Sequence, residues 1–385
     1  MVLMYFIIVQ PLFSGYDLYL VTPTFEGNNT KLTIFANSKP NNMIETKSPH
    51  IRFGIVGTNF ITDWIIAASK QETRFELVAI YSRTQETADA YAAKHNIPHT
   101  FTSLEEMAKS PLIDAVYIAS PNFLHAEQSI LCMQHGKHVL CEKPLASNAK
   151  EANQMIEVAR QYNVTLMEAM KPTLTPNFGV VRDNLHRVGK LRHYFSSYCQ
   201  YSSRYEKYKA GIPVNAFDPS LSNGSVMDIG VYTIYPMVAL FGKPAKIKAL
   251  GVKLETGADV FGTVGFEYEN GMNATVLYSK VSDSILPTEI QGESGNLLLD
   301  RINLIKKVTY IGGGQASMGK GMQSEPEDIS AEVDRDEYYY ELKHFIDLVL
   351  AGKPESDINS HQNSLITLEI MDEIRRQLGV VFPAD

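Results

Sequence analysis

Three side chains in this sequence have the types and spacing that proton and charge chemistry needs. Lys143 comes directly after the apolar run Val139–Cys141 and Glu142, and Pro144 follows it. Such a run reads as the end of a buried strand, where a parallel sheet delivers side chains into a ligand crevice. Asp228 and Tyr232 lie four residues apart within Gly224 to Tyr232, a spacing that puts a carboxylate and a phenol on one face of a helix. An ammonium stabilises negative charge growing on an oxygen. A phenol exchanges a proton when a neighbouring cation lowers its pKa, and a carboxylate orients the ammonium or binds a hydroxyl. Each residue also has a plainer reading. A lysine at a strand end is commonly a solvated cap, and a tyrosine one turn from an aspartate is commonly a buried hydrogen-bonded pair.

The elements around Lys143 favour the chemical reading. Ile51–Val56 is a short apolar strand that runs into Gly57, Thr58, Asn59, Phe60, Ile61 and Thr62 before a helix carrying Trp64, Ile65 and Ala68. In the dinucleotide-binding turn the first glycine makes the bend and the second admits a pyrophosphate. Here Asn59 and Thr62 replace the second and third small residues, so the Asn59 side chain must lie aside from the phosphates. Strands are predicted at Phe75–Tyr81, Ala115–Ala119, Val139–Cys141 and Val164–Glu168. Helices are predicted over Glu86–His95, after the Ser103/Glu106 capping box, over Ala126–His135, and from a Ser147 cap to Tyr162. This alternation implies a doubly wound parallel sheet with its ligand at the carboxyl ends of the strands.

Two of those ends speak to the ligand. About 25 residues beyond Gly57, where an NAD site presents Asp or Glu to the ribose, this chain has Ser82, Arg83 and Thr84. A hydroxyl and a guanidinium suit a 2'-phosphate, and NADP is therefore expected, with NAD as the other nicotinamide the fold could take. After the next predicted strand end, Ser120, Pro121, Asn122 and His125 line the same crevice.

With 385 residues, 44% apolar and 20% charged, the chain has the composition of a globular protein with room for two domains. A net charge of -8 argues against nucleic acid or an anionic membrane as partner. Three scattered cysteines, Cys132, Cys141 and Cys199, suit neither a disulfide framework nor a zinc site, and a cytoplasmic location is expected. Residues 1–50 read as an extension or linker. They contain a hairpin pattern, Tyr16–Thr24 with Lys31–Ala36, and a polar exit from Asn37, with Met43 as the better beginning. Residues 51–171 form the dinucleotide-binding domain and 172–385 a substrate-binding and oligomerisation domain. In the latter, Asn177–Val188 is helical, and six strand-like stretches between Leu191 and Leu299 imply a largely antiparallel sheet. Residues 312–335 read as a mobile loop, and helices follow at Tyr338–Ala351 and Gln362–Leu378. The fold class is α/β: an N-terminal Rossmann sheet plus a C-terminal α+β domain with an open sheet.

From Ile51 to Pro383 the sequence resembles the Gfo/Idh/MocA oxidoreductases. The resemblance rests on the Gly57 turn, Pro121-Asn122 with His125, Gly136 through Glu142-Lys143-Pro144, and Asp228 through Tyr232. Met167-Glu168-Ala169 and Tyr232 look nearest the branch of dimeric dihydrodiol dehydrogenases and NADP-linked xylose dehydrogenases. The resemblance implies Lys143, Asp228 and Tyr232 as catalytic residues. It implies a cofactor cradle that includes Glu142 and Lys143, a sugar-like or cyclic alcohol substrate, and a homodimer or higher homo-oligomer. Lys171, Arg204 and Tyr205 are candidates to face that substrate. A nucleotide-gated sugar sensor and a cofactor-assisted glycosidase are the competing functions.

Overall fold

The structure, a computed structural model, describes residues 20–26, 29–35, 50–313 and 324–385. The chain falls into two units, residues 1–48 and 49–385. In the first, β1 (Leu20–Glu26) and β2 (Asn29–Phe35) pair antiparallel, Leu20 opposite Phe35 and Glu26 opposite Asn29. The predicted hairpin thus forms with shifted ends; Tyr16–Tyr19 and Ala36 lie outside the described residues.

In the second unit, β3 (Ile51–Val56), β4 (Phe75–Tyr81), β5 (His99–Phe101), β6 (Ala115–Ile118), β7 (His138–Glu142) and β8 (Leu166–Ala169) form a wholly parallel sheet in the order β5-β4-β3-β6-β7-β8. The short β5 has no counterpart in the sequence reading. The connecting helices are α1 (Phe60–Ser69), α2 (Gln85–His95), α3 (Leu104–Lys109), α4 (His125–Gln134) and α5 (Ala149–Tyr162). Their starts follow local chemistry. Thr84 accepts from the Thr87 amide, Ser103 from Glu106, and Asn148 from Glu151. The cap of α5 is therefore Asn148 rather than Ser147, whose own amide donates to the Glu151 carboxylate at 3.0 Å.

Beyond β8, α6 (Pro176–Asn184) tightens into a 3-10 turn, Leu185–Val188. A second sheet then has the order β10-β11-β12-β9-β13-β14-β15-β16. Its strands are β9 (Leu191–Cys199), β10 (Lys246–Lys253), β11 (Asp259–Glu267), β12 (Asn273–Ser279), β13 (Thr288–Gly292), β14 (Gly295–Leu299), β15 (Val308–Gly312) and β16 (Glu327–Asp328). Every pairing is antiparallel except β9 with β12. That exception arises because β9 enters the sheet before α7 (Ser203–Lys209) and α8 (Val231–Phe241) and lies beside a strand made later. β15 and β16 were not anticipated. Within the predicted loop 312–335, residues 314–323 lie outside the described residues, while Glu327 pairs with Tyr310.

The two sheets share a core. Val116, Ile118, Val139 and Cys141 on one face of the parallel sheet belong to the same buried cluster as Tyr194, Val264, Val276 and Ile290 of the second sheet. The last helix, α10 (His361–Leu378), contributes Leu368, Ile370 and Ile374 to it. On the opposite face of the parallel sheet, Phe53, Ile55 and Ile80 pack with α1 and with Leu342, Phe345 and Ile346 of α9 (Glu337–Leu350). The Phe53 and Phe345 rings are 5.9 Å apart.

Candidate active site

The strand order sets the site. Because β4, β3, β6 and β7 are neighbours, their carboxyl ends bring Ser82-Arg83, Gly57–Ile61, Ser120–Asn122 and Glu142-Lys143 into one row. Gly57 has φ of 117°, and a Cβ there would sit 2.6 Å from the Ala119 carbonyl oxygen, so no side chain fits the bend. Asn59 resolves its departure from the usual glycine by turning its side chain inward. Its Oδ1 accepts from the Ile61 and Thr62 amides, capping α1, and its Nδ2 donates to Ala119 O at 2.8 Å. Thr62 is buried, and its hydroxyl donates to Gly57 O at 3.2 Å. The turn therefore keeps its shape without three glycines. Phe60 is half exposed beside it. Arg83 is exposed at the end of β4 and has no ion-pair partner among the described residues.

His125 does not line this crevice. Its ring is buried, with Nδ1 2.9 Å from Pro144 O and Nε2 2.8 Å from Ser120 O. Burial lowers its pKa, so its role is to hold the loop after β6 against the loop after β7. Glu142 likewise turns inward, where it accepts the Tyr117 hydroxyl and, at 3.3 Å, the Lys143 amide. Burial raises its carboxyl pKa against the pull of Lys143. Asn122 reaches across to the other half of the molecule, its Nδ2 donating to Ser222 O and Asn223 Oδ1, each at 3.0 Å.

Lys143 meets the second motif directly. Its Nζ donates to the Asp228 backbone carbonyl at 2.9 Å and lies 3.2 Å from the Asp228 carboxylate. The expected uninterrupted helix is absent here. A turn of π-helix, Val226–Gly230, precedes α8, and such turns carry i→i+5 hydrogen bonds and recur at functional sites. Asp228 presents both its carbonyl and its carboxylate to Lys143. Buried Asp259 accepts the Val226 amide at 2.7 Å, holding the start of the turn, and burial pushes its pKa up to about 6. A Cβ on Gly224 would come within 2.2 Å of the Asp259 Oδ1, so glycine is required for that approach.

Sequence reasoning missed Lys280. It follows β12 in a polar Ser-Lys-Val-Ser-Asp stretch that looks like any surface turn, yet it is 4% exposed and its ammonium bonds the free oxygen of Asp228. Burial pushes the Asp228 carboxyl up, but Lys143 and Lys280 outweigh it and hold the group well below the usual carboxylate range. Asp228 is therefore an anion held between two cations. Tyr232 lies under Lys143, whose Nζ is 4.9 Å from the ring centroid, and its ring meets Tyr198 edge-on at 5.6 Å. The cation thus faces the ring, not the hydroxyl. Burial, and then Glu142, raise the phenol well above its ordinary pKa, the reverse of the lowering anticipated from the sequence.

Two of the other substrate candidates border the site: Lys171 lies close enough to Glu142 to act on its carboxyl, and Tyr205 packs on Phe217, the ring beside Lys280. Lys171 pairs with Glu337 and sits 4.2 Å from the Tyr338 ring centroid. Arg204 is exposed on α7, and Tyr205 packs with Tyr208 and Phe217. Among the described residues no group of three or more His, Cys, Asp or Glu is arranged to hold a metal, and no helix is long and apolar enough to cross a membrane.

Comparison with known proteins agrees with this architecture. Residues 51–170 match the oxidoreductase family with an NAD-binding Rossmann fold, Gfo/Idh/MocA, and residues 185–298 match the Gfo/Idh/MocA C-terminal domain. The chain is 48% identical over 335 residues to the scyllo-inositol 2-dehydrogenase (NADP(+)) IolU of Bacillus subtilis, covering 87% of this chain and 99% of that one. It is 30% identical over 344 residues to the trans-1,2-dihydrobenzene-1,2-diol dehydrogenase of Xenopus laevis, covering 86% and 99%. In fold it matches KijD10, a 3-ketoreductase from Actinomadura kijaniata solved with NADP and TDP-benzene. The TM-score is 0.71 at 23% identity, over 86% of this chain and 98% of that one. A row of strand ends shaped for a dinucleotide, a lysine joined to a carboxylate and stacked on a tyrosine, and these relatives lead to one conclusion: the chain belongs to the Gfo/Idh/MocA family of oxidoreductases.

Proposed function

We propose that the protein is an NADP-dependent dehydrogenase that interconverts a ring alcohol of a cyclic polyol or sugar with the corresponding ketone. The observation that carries this reading is the contact of Lys143 with Asp228 above the Tyr232 ring, at the edge where the dinucleotide turn opens. The residues present fit the cofactor. Gly57 leaves room for a pyrophosphate, the Asn59 side chain is withdrawn, and Arg83, without an ion-pair partner among the described residues, stands where a 2'-phosphate would lie. Both relatives compared by sequence are dehydrogenases of ring diols or polyols, and one is named for NADP.

When bound, NADP supplies or accepts the hydride. The chain handles the oxygen. Lys143, held by Asp228, places its ammonium where negative charge develops on the substrate oxygen, which favours the transition state over the ground state. In the reductive direction the protonated Tyr232 hydroxyl gives its proton to that oxygen, and solvent later restores it. Asp228 stays ionised throughout and fixes the ammonium. The protein acts as a homo-oligomer, which a sedimentation mass of at least twice the 43.0 kDa chain would support and a monomer mass would overturn.

The test is a panel of inositols, cyclic diols and aldoses offered with NADP and with NAD, followed by nicotinamide absorbance. Reduction of NADP by at least one ring polyol is expected. No change in absorbance with any member, or release of a reducing sugar without such a change, would overturn the reading.

A further inference from the structure

Lys280 has more hydrogen-bonding capacity than the protein uses. Its backbone is fixed by two bonds, its amide to Val260 O at 2.8 Å and the Ser202 amide to its carbonyl at 2.9 Å. Its side chain lies 5% exposed, 5.6 Å from the Phe217 ring centroid. An ammonium has three protons to donate. Among the described residues the sole hydrogen-bond acceptor for them is Asp228.

Lys143 on one side and Lys280 on the other place two ammonium groups against one carboxylate, and the Asp228 side chain between them is 38% exposed. A buried ammonium with one acceptor keeps protons free to donate, and buried donors are costly without partners. The partner that completes the set arrives through the opening at Asp228. A hydroxyl suits it, because it accepts from an ammonium while donating to the carboxylate. An anionic group would meet Asp228 itself. Lys143 already serves the reacting oxygen, so Lys280 is placed for a second oxygen on a neighbouring carbon.

We propose that Lys280, with Asp228, binds the hydroxyl adjacent to the reacting carbon and makes the enzyme selective for neutral vicinal diols, or α-hydroxyketones in the reductive direction, over isolated alcohols. Lys280 transfers no proton in this role. The inference rests on the dehydrogenase reading of the Lys143 site.

The test compares the full-length wild type with Lys280→Met, Lys280→Gln and Lys280→Arg. The alcohols are trans-cyclohexane-1,2-diol and cyclohexanol with NADP, each titrated as substrate or, where it is not turned over, as inhibitor of the diol reaction. NADPH affinity and thermal unfolding are measured alongside. Loss of a hydrogen bond to a charged group corresponds to about 10- to 100-fold in binding. Lys280→Met should therefore raise the KM for the diol by about that factor and reduce the preference over cyclohexanol equally. NADPH affinity should stay within about twofold, and Lys280→Arg should recover part of the loss. If Lys280→Met fails to fold, Lys280→Gln is expected to show the same split. An unchanged diol preference would overturn the proposal, as would an equal loss on both alcohols, since Lys280 would then act only by holding Asp228. A wild type that neither turns over nor binds any diol would overturn the dehydrogenase reading, and this is visible before any variant is compared.

Discussion

Lys143 and Asp228 are joined twice, through the Asp228 backbone carbonyl at 2.9 Å and through its carboxylate at 3.2 Å. One residue closes a strand of the parallel sheet and the other lies in the π turn that leads into α8. The double contact fixes the ammonium against rotation of the carboxylate, so the cation keeps its place as a substrate oxygen changes charge.

Tyr232→Phe should lower turnover of the best substrate by about 10²- to 10⁴-fold, the usual scale of general acid-base assistance. Lys143→Ala should do at least as much damage, because Asp228 then has Lys280 alone. NADP affinity of Tyr232→Phe should be nearly unaltered. Steady-state kinetics beside NADPH fluorescence titration check both statements.

Arg83→Ala should weaken NADP binding and leave NAD binding almost unaffected. A charge-assisted contact to phosphate contributes about 1.5–3 kcal/mol, or about 10- to 150-fold in affinity. Titration of both cofactors against wild type and variant measures it.

Glu168 makes stability depend on pH. It is buried, accepts the Leu145 amide at 3.0 Å, and burial pushes its pKa from 4.5 to about 7. The folded protein therefore holds a proton between those values that the unfolded chain releases, and this contribution to stability falls as pH rises from about 4.5 to 7. Glu168→Gln removes that dependence while keeping the acceptor for Leu145. The variant should gain about 2–4 kcal/mol relative to wild type on going from pH 4.5 to pH 8, read from denaturant unfolding at each pH.

Gly224→Ala should disturb the π turn from two residues ahead of its start. The added methyl group would come within 2.2 Å of the Asp259 carboxylate, and an overpacked site of this kind costs about 1–3 kcal/mol. Chemical denaturation should show the loss. Turnover should fall with it, since Asp259 holds the Val226 amide two residues before Asp228.

Much of the site was legible because it sits on local patterns. The alternation of strands and helices placed Gly57, Arg83, Asn122 and Lys143 on successive strand ends, and parallel strands in the order β4-β3-β6-β7 make those ends neighbours. Asp228 and Tyr232 could be paired by spacing. Lys280 could not, because it lies 52 residues from Asp228 and reaches it only through the register of β12 beside β9 and β11. The inward turn of His125 was equally hidden, since its partners are backbone carbonyls with no side-chain signature. The direction of the Tyr232 shift depended on burial and on Glu142, and sequence spacing reports neither.

The packing of α9 has a consequence for biosynthesis. Phe53, Ile55 and Ile80 are translated before the second sheet, yet Leu342, Phe345 and Ile346, which complete their cover, emerge only after it. A nascent chain halted after β8 would carry a finished run of parallel strands with this apolar face only partly covered by α1, a surface that chaperones bind and that aggregates readily. The nucleotide-binding half is early in sequence but late in completion. Emergence of α9, not of β8, is the moment at which it can close.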